Sequence, residues 1–171
     1  MHRSRIIIYQ NYEDDRMQCH QCLSVGILGH KLFDCWEERQ YKYQNVGIMK
    51  KCIIVDDVPL NIVLAQKMLS SFKMEMSKAK NGQEACDMLR NGYEPDIMIL
   101  DLMMPIMDGF QVLEEIRSGK AGNKDLPIIV LSALNREEDI NRAMSLGAND
   151  FVTKPIIMNR LVNAVKTALG E

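Results

Sequence analysis

The stretch "DIMILDLMMPIMDG", residues 96–109, decides how the chain is read. Four apolar residues, Ile97 to Leu100, run directly into a carboxylate at Asp101. An unbroken apolar run of that length fits a strand buried on both faces. A charge at its end therefore calls for partners elsewhere in the chain. Met-Met-Pro then breaks the pattern, and Asp108, ahead of Gly109 and "FQVLEEI", reads as the N-cap of the next helix.

Working outward, the same alternation repeats from residue 49 to the end. "KKCIIVDD" is a short apolar run closed by acids, and "PLNIVLAQKMLSSF" carries helical spacing with Pro59 suited to a first turn. A weaker strand is expected near "EMSKA" and a helix in "NGQEACDMLRNG". After "DIMIL" come a helix in "GFQVLEEIRSG", the strand "PIIVLSA", a helix in "REEDINRAMSLG", a strand at "DFVTK" and a last helix in "IIMNRLVNAVKTAL". Five strands alternating with five helices predict an α/β fold, doubly wound around a parallel sheet. The runs at 52–55, 97–100 and 128–131 are rich enough in Ile, Val and Leu to be its central strands.

Composition narrows the function. At 171 residues the chain holds one domain with room for an appendage, and its 47% apolar content suffices for a core. A net charge of −2 without a basic run gives no electrostatic footprint for direct nucleic-acid binding. No segment approaches the roughly 20 apolar residues of a membrane span, and the N-terminal isoleucine run is too short for a secretory signal. Five irregularly spaced cysteines argue against a disulfide framework, so a reducing, cytoplasmic location is expected.

In a parallel sheet, chemistry gathers beyond the C-terminal ends of the strands. Those ends carry Asp56 and Asp57, Asp101, Ser132, and Lys154-Pro155. Taken singly, each has a plainer reading: an aspartate at a strand end is most often a turn former or helix cap, a serine a cap, and Lys-Pro a loop. Their joint placement on one edge carries the functional reading. Three carboxylates brought together repel one another unless a cation enters, and oxygen-only ligands suit the hard ion Mg²⁺. With Lys154 as a positive charge and Ser132 as a hydroxyl donor, the pocket suits a transferred phosphoryl group.

These residues resemble the receiver domain of response regulators. The resemblance runs from about residue 50 to 170 and rests on "IIVDD" with "VPLN", "DIMILDLMMPIMDG", "PIIVLSA" and "FVTKP" in order. It implies a flavodoxin-like five-stranded sheet of order 2-1-3-4-5. It also implies that Asp101 accepts a phosphoryl group from a phosphohistidine on a histidine kinase or phosphotransfer protein. By the same resemblance, Asp57 binds Mg²⁺ directly and Asp56 partly through water, with Asp101 and the backbone carbonyl of Met103 completing the protein ligands. Lys154 pairs with the phosphorylated aspartate, and Lys154-Pro155 is a cis peptide. Ser132 reaches for the phosphoryl oxygen, Ala133 leaves its approach open, and Phe151 is the aromatic whose rotamer responds. The chain would catalyse its own phosphorylation without turning over an external substrate.

Two positions stand out within that frame. Met103 and Leu134, two residues beyond Asp101 and Ser132, are apolar where polar side chains could orient an attacking water. A long-lived phosphoryl group is the expectation. Met104 and Met107 are read as packing or partner-contact residues. No output domain is recognisable after the last helix, so signalling is expected through contact with a downstream protein target or onward relay. A homodimer through the face of the fourth helix, fifth strand and fifth helix is a further option.

Residues 1–48 read differently and are expected to be a poorly ordered extension or small appendage ahead of the receiver domain at 49–171. All three histidines fall there, so the phosphodonor is expected to act in trans. Cys19, Cys22, His30 and Cys35 have zinc-like ligand types, but their middle spacing is long and a second paired arm is missing. Met49 would also serve as a start, since "MKKCIIVDD" opens as a free-standing receiver does. Two rival functions fit the residues less well. A receiver-like module without phosphoryl chemistry has no need of the acid, serine and lysine set. An aspartyl-phosphate phosphatase usually has a second aspartate where this chain has Met103.

Overall fold

The computed structural model describes residues 49–171; Cys19, Cys22, His30 and Cys35 lie outside the described residues. Five parallel strands form one sheet in the order β2-β1-β3-β4-β5. They are β1 (Lys51–Val55), β2 (Glu75–Ala79), β3 (Ile97–Leu100), β4 (Ile128–Ser132) and β5 (Asp150–Thr153). Between and after them run α1 (Pro59–Met68), α2 (Gly82–Arg90), α3 (Gly109–Arg117), α4 (Glu137–Ser145) and α5 (Met158–Leu169). The expected order and class are both observed.

Side-chain alternation along the strands divides the core in two. Ile53, Val55, Met98, Leu100, Ile128 and Val130 point to one face, where Leu89, Leu113, Ile116 and Ala143 bring α2, α3 and α4 against them. Cys52, Ile54, Ile97, Ile99, Ile129 and Leu131 point to the other, which Ile62, Ala65, Leu161 and Val165 cover from α1 and α5. Every residue of β3 is buried, as its uninterrupted apolar run requires.

Local chemistry sets the helix boundaries. Asp108 caps α3 by accepting the Gln111 N–H at 2.8 Å, while the Gln111 side chain accepts the Asp108 N–H at 3.0 Å. This is a reciprocal capping box around the expected N-cap. Asn81 caps α2 through the Glu84 N–H. Pro59 occupies the first turn of α1, as read from the sequence.

Two helices are shorter than their apolar periodicity suggested. α1 stops at Met68, and Ser70–Phe72 form a separate 3₁₀ turn that ends on Lys73 at a φ of 49°. α5 begins at Met158, because Ile156 and Ile157 are still leaving the Lys154-Pro155 corner and Ile157 is the extended N-cap.

The strand order reverses between β1 and β3. Val55, the last residue of β1, lies between Ala79 of β2 and Leu100 of β3, so the chain leaves both central strands at the same point of the edge.

Candidate functional site

The three acids meet at that reversal. Asp56 and Asp57 follow β1 and Asp101 follows β3, and each contributes a carboxylate oxygen to a group lying within 4.8 Å of one another. Backbone hydrogen bonds lock the arrangement, since the Asp56 N–H donates to Ala79 and the Asp101 N–H donates to Val55. Asp56 and Asp101 are buried while Asp57 is exposed, so the pocket opens on the Asp57 side.

Lys154 reaches this cluster from beyond β5. Its Nζ lies 2.7 Å from Asp56 Oδ2 and 3.1 Å from Asp101 Oδ2. The lysine is placed by its own N–H, which donates to the Ser132 carbonyl at 2.8 Å, and the Lys154-Pro155 peptide is cis as expected. One ammonium thus bridges two buried carboxylates from adjacent strands.

Burial is the largest influence on Asp101 and pushes its carboxyl above the usual carboxylate range. The charge and hydrogen bond of Lys154 pull the other way, Asp56 adds to the rise, and the Leu102 N–H, 2.8 Å from Asp101 Oδ1, opposes it. The donor set is all oxygen, three carboxylates converge, and neither thiol nor imidazole is among them. That chemistry fits a hard divalent cation such as Mg²⁺.

The remaining expected residues take definite places. Ser132 is fully buried at the end of β4, its Oγ accepting the Leu134 N–H at 3.3 Å. Phe151 is buried in the core cluster that also holds Phe110 and Ala143. Met103 is exposed, while Leu134 packs partly against the core. Met104 is a core residue, and Met107 packs beside Cys86, with the two sulfurs 3.8 Å apart. Packing accounts for both of these methionines.

Two features escaped the sequence reading. Asn61, inside the quoted "VPLN", donates from Nδ2 to Asp56 Oδ1 at 3.0 Å. An amide in the first turn after an acidic strand end was the available signal. Ile106 adopts a φ of 74° with the Met107 N–H bonded to the Pro105 carbonyl at 2.9 Å, a tight turn in a region that β-branched residues avoid. Nothing in the sequence marks Ile106, since glycine or asparagine would be the ordinary choice.

Anchoring of this loop relies on two glycines. The Gly109 N–H donates to the Leu102 carbonyl at 3.1 Å, and a Cβ on Gly109 would run into the carbonyl oxygen of Asp101. On the far side, the Gly82 N–H meets the Met107 carbonyl at 3.2 Å, and a Cβ there would lie 2.7 Å from the same oxygen. Backbone packs on backbone at both ends of the segment that follows Asp101.

Comparison with known proteins gives a consistent result. The family model for the response regulator receiver domain matches residues 52–166. Response regulator PleD of Caulobacter vibrioides is 35% identical over 106 residues, covering 62% of this chain and 23% of PleD. Response regulator GtcR of Aneurinibacillus migulanus is 36% identical over 106 residues, covering 62% of this chain and 42% of GtcR. The match thus spans less than half the length of these curated relatives. Among solved structures, a putative response regulator from Chloroflexus aurantiacus superposes with a TM-score of 0.66 at 28% identity, covering 72% of this chain and 99% of the other. The receiver domain of the Francisella response regulator 1452 gives 0.64 at 26% identity, covering 71% and 97%.

Proposed function

The chain belongs to the response regulator receiver domain family, and from that premise we propose that Asp101 accepts a phosphoryl group from a phosphohistidine on a partner protein. The observation that carries the proposal is the Lys154 ammonium, set between Asp56 and Asp101 where three carboxylates converge. A purely structural sheet edge has no use for so concentrated a set of buried charges.

Asp56, Asp57, Asp101 and the backbone carbonyl of Met103 would hold Mg²⁺, which when bound screens the negative charge of the incoming phosphoryl group. A carboxylate oxygen of Asp101 attacks phosphorus. The new P–O bond forms as the P–N bond of the donor breaks, and its electron pair stays on the departing imidazole. Lys154 supplies positive charge beside the acyl phosphate. Ser132 turns its hydroxyl, whose proton is not used in accepting the Leu134 N–H, to donate to a phosphoryl oxygen. Phe151, two strand residues before Thr153, responds to that movement through the core between β4 and α4.

The product is a covalently marked protein that signals by contact with a downstream target. The donor is a histidine kinase or histidine phosphotransfer protein, the setting is cytoplasmic, and no direct nucleic-acid contact is proposed. Among the described residues no helix is long and apolar enough to cross a membrane. Turnover of an external substrate is not proposed, because Met103 stands where an aspartyl-phosphate phosphatase would place its acid. Labelling with acetyl phosphate and Mg²⁺ tests the reading: wild type takes up phosphate and Asp101→Asn does not. Equal uptake by the variant would move the acceptor elsewhere.

A further inference from the structure

Resting on that reading, we infer that Asn61 is a positioning residue that fixes how Asp56 is presented to a bound cation. Asp56 is buried at the pocket floor, and three donors surround its carboxylate. Oδ1 accepts the Val58 N–H at 2.9 Å and the Asn61 Nδ2 at 3.0 Å, while Oδ2 accepts Lys154 Nζ at 2.7 Å. An ionised carboxylate offers about four lone-pair sites, so these bonds leave roughly one, on Oδ2. Turning the carboxylate about its last torsion would break all three bonds to a buried charge. Asp56 is therefore aimed before any cation arrives.

The chemical type at position 61 matters. Val58 contributes only backbone, and Lys154 is shared with Asp101, so among the described residues Asn61 is the side chain devoted to Asp56. A cationic donor there would cancel the charge that attracts a metal ion. An apolar side chain would leave Oδ1 with the Val58 N–H alone and hold the carboxylate less firmly. A neutral amide orients the carboxylate and preserves its charge. Because Asn61 sits in the first turn of α1, the helix backbone holds the amide in place.

The test is calorimetric titration of the unphosphorylated full-length protein with MgCl₂. Asn61→Leu keeps the volume and removes the donor; Asn61→Ala adds no bulk, carries the same expectation and serves if leucine disturbs the helix. Mg²⁺ affinity is expected to fall by about fivefold or more, the scale of one hydrogen bond's net contribution. That loss should vanish in an Asp56→Asn background, since the amide acts through Asp56. Affinity staying within about twofold of wild type, or an equal loss in the Asp56→Asn background, overturns the assignment. A wild type that binds no Mg²⁺ overturns the acid-cluster reading itself, an outcome distinct from an unchanged variant.

Discussion

The Nζ of Lys154 lies 2.7 Å from Oδ2 of Asp56, with both side chains largely withdrawn from solvent. Among the described residues it is the cation paired with the buried acids Asp56 and Asp101, so the ammonium serves as their counter-ion. Removing one partner of such a pair costs more than the pair itself contributes, because a charge is left buried and unmatched.

Lys154→Met should accordingly lower stability by about 2 kcal/mol, below the range for fully buried pairs because water reaches the pocket mouth. Mg²⁺ should offset that loss and raise the melting temperature more in Lys154→Met than in wild type, since the cation replaces the missing charge. Thermal unfolding with MgCl₂ or with EDTA checks both statements. An equal Mg²⁺ effect in the two proteins would contradict them.

Asp101 carries the opposite sign. Its carboxyl is raised above the ordinary value chiefly by burial. Between the unfolded and folded pKa values the native state therefore binds more protons than the unfolded state, so stability falls as pH rises through that window. Asp101→Asn should be more stable than wild type at neutral pH, by about 1 kcal/mol after allowing for solvent in the pocket and for the lost Lys154 contact. The advantage should shrink as pH falls through the folded pKa. Urea unfolding at several pH values reads this directly.

Ile106 is 80% exposed with a φ of 74°, so it loses little packing on replacement and holds an unfavourable backbone. Asparagine tolerates that region without adding unfolded-state freedom as glycine would. Ile106→Asn should stabilise the protein by about 0.5–1 kcal/mol, read from the shift of the urea midpoint. A destabilised variant would show that the isoleucine contributes packing the structure does not display.

Cys52 and Cys86 are buried thiols without a disulfide, and burial pushes them up to about 12 and about 11. Thiolate is the reactive form, so both should resist alkylation at neutral pH in the native state and react on unfolding. Peptide mass mapping after a short iodoacetamide pulse distinguishes them from the other cysteines. Rapid native labelling of Cys52 would mean that β1 opens locally.

Met103 and Leu134 carry apolar side chains two residues beyond Asp101, the proposed acceptor, and Ser132; one is exposed and the other partly packed. Neither can orient a water for attack on the acyl phosphate. Spontaneous dephosphorylation should take minutes or longer, and replacing Met103 by a polar residue such as asparagine should shorten it. Decay of the purified phosphoprotein within seconds would contradict the assignment.

Much of this was legible in the chain because the relevant signals are local or periodic. Ile97–Leu100 had to be a doubly buried strand, Asp108 a cap, and Asp56, Asp57, Asp101 and Lys154 had to share an edge once the strands ran parallel. What stayed hidden depends on geometry that no short window encodes. The break of α1 at Leu69 and the late start of α5 follow from backbone angles and a corner, against an apolar pattern that runs on past both. Asn61 acquires its role only when α1 folds back over β1. The strain at Ile106 exists because Gly82 and Gly109 fix both ends of its loop.

The central claim is that one aspartate accepts phosphate. Borohydride reduction of the acetyl-phosphate-treated protein, followed by peptide mass mapping, converts an acyl phosphate into a readable homoserine. The account predicts Mg²⁺-dependent homoserine at position 101 and at no other aspartate. Homoserine at Asp56, Asp57 or Asp108, or none anywhere under conditions that label an established receiver, would contradict it.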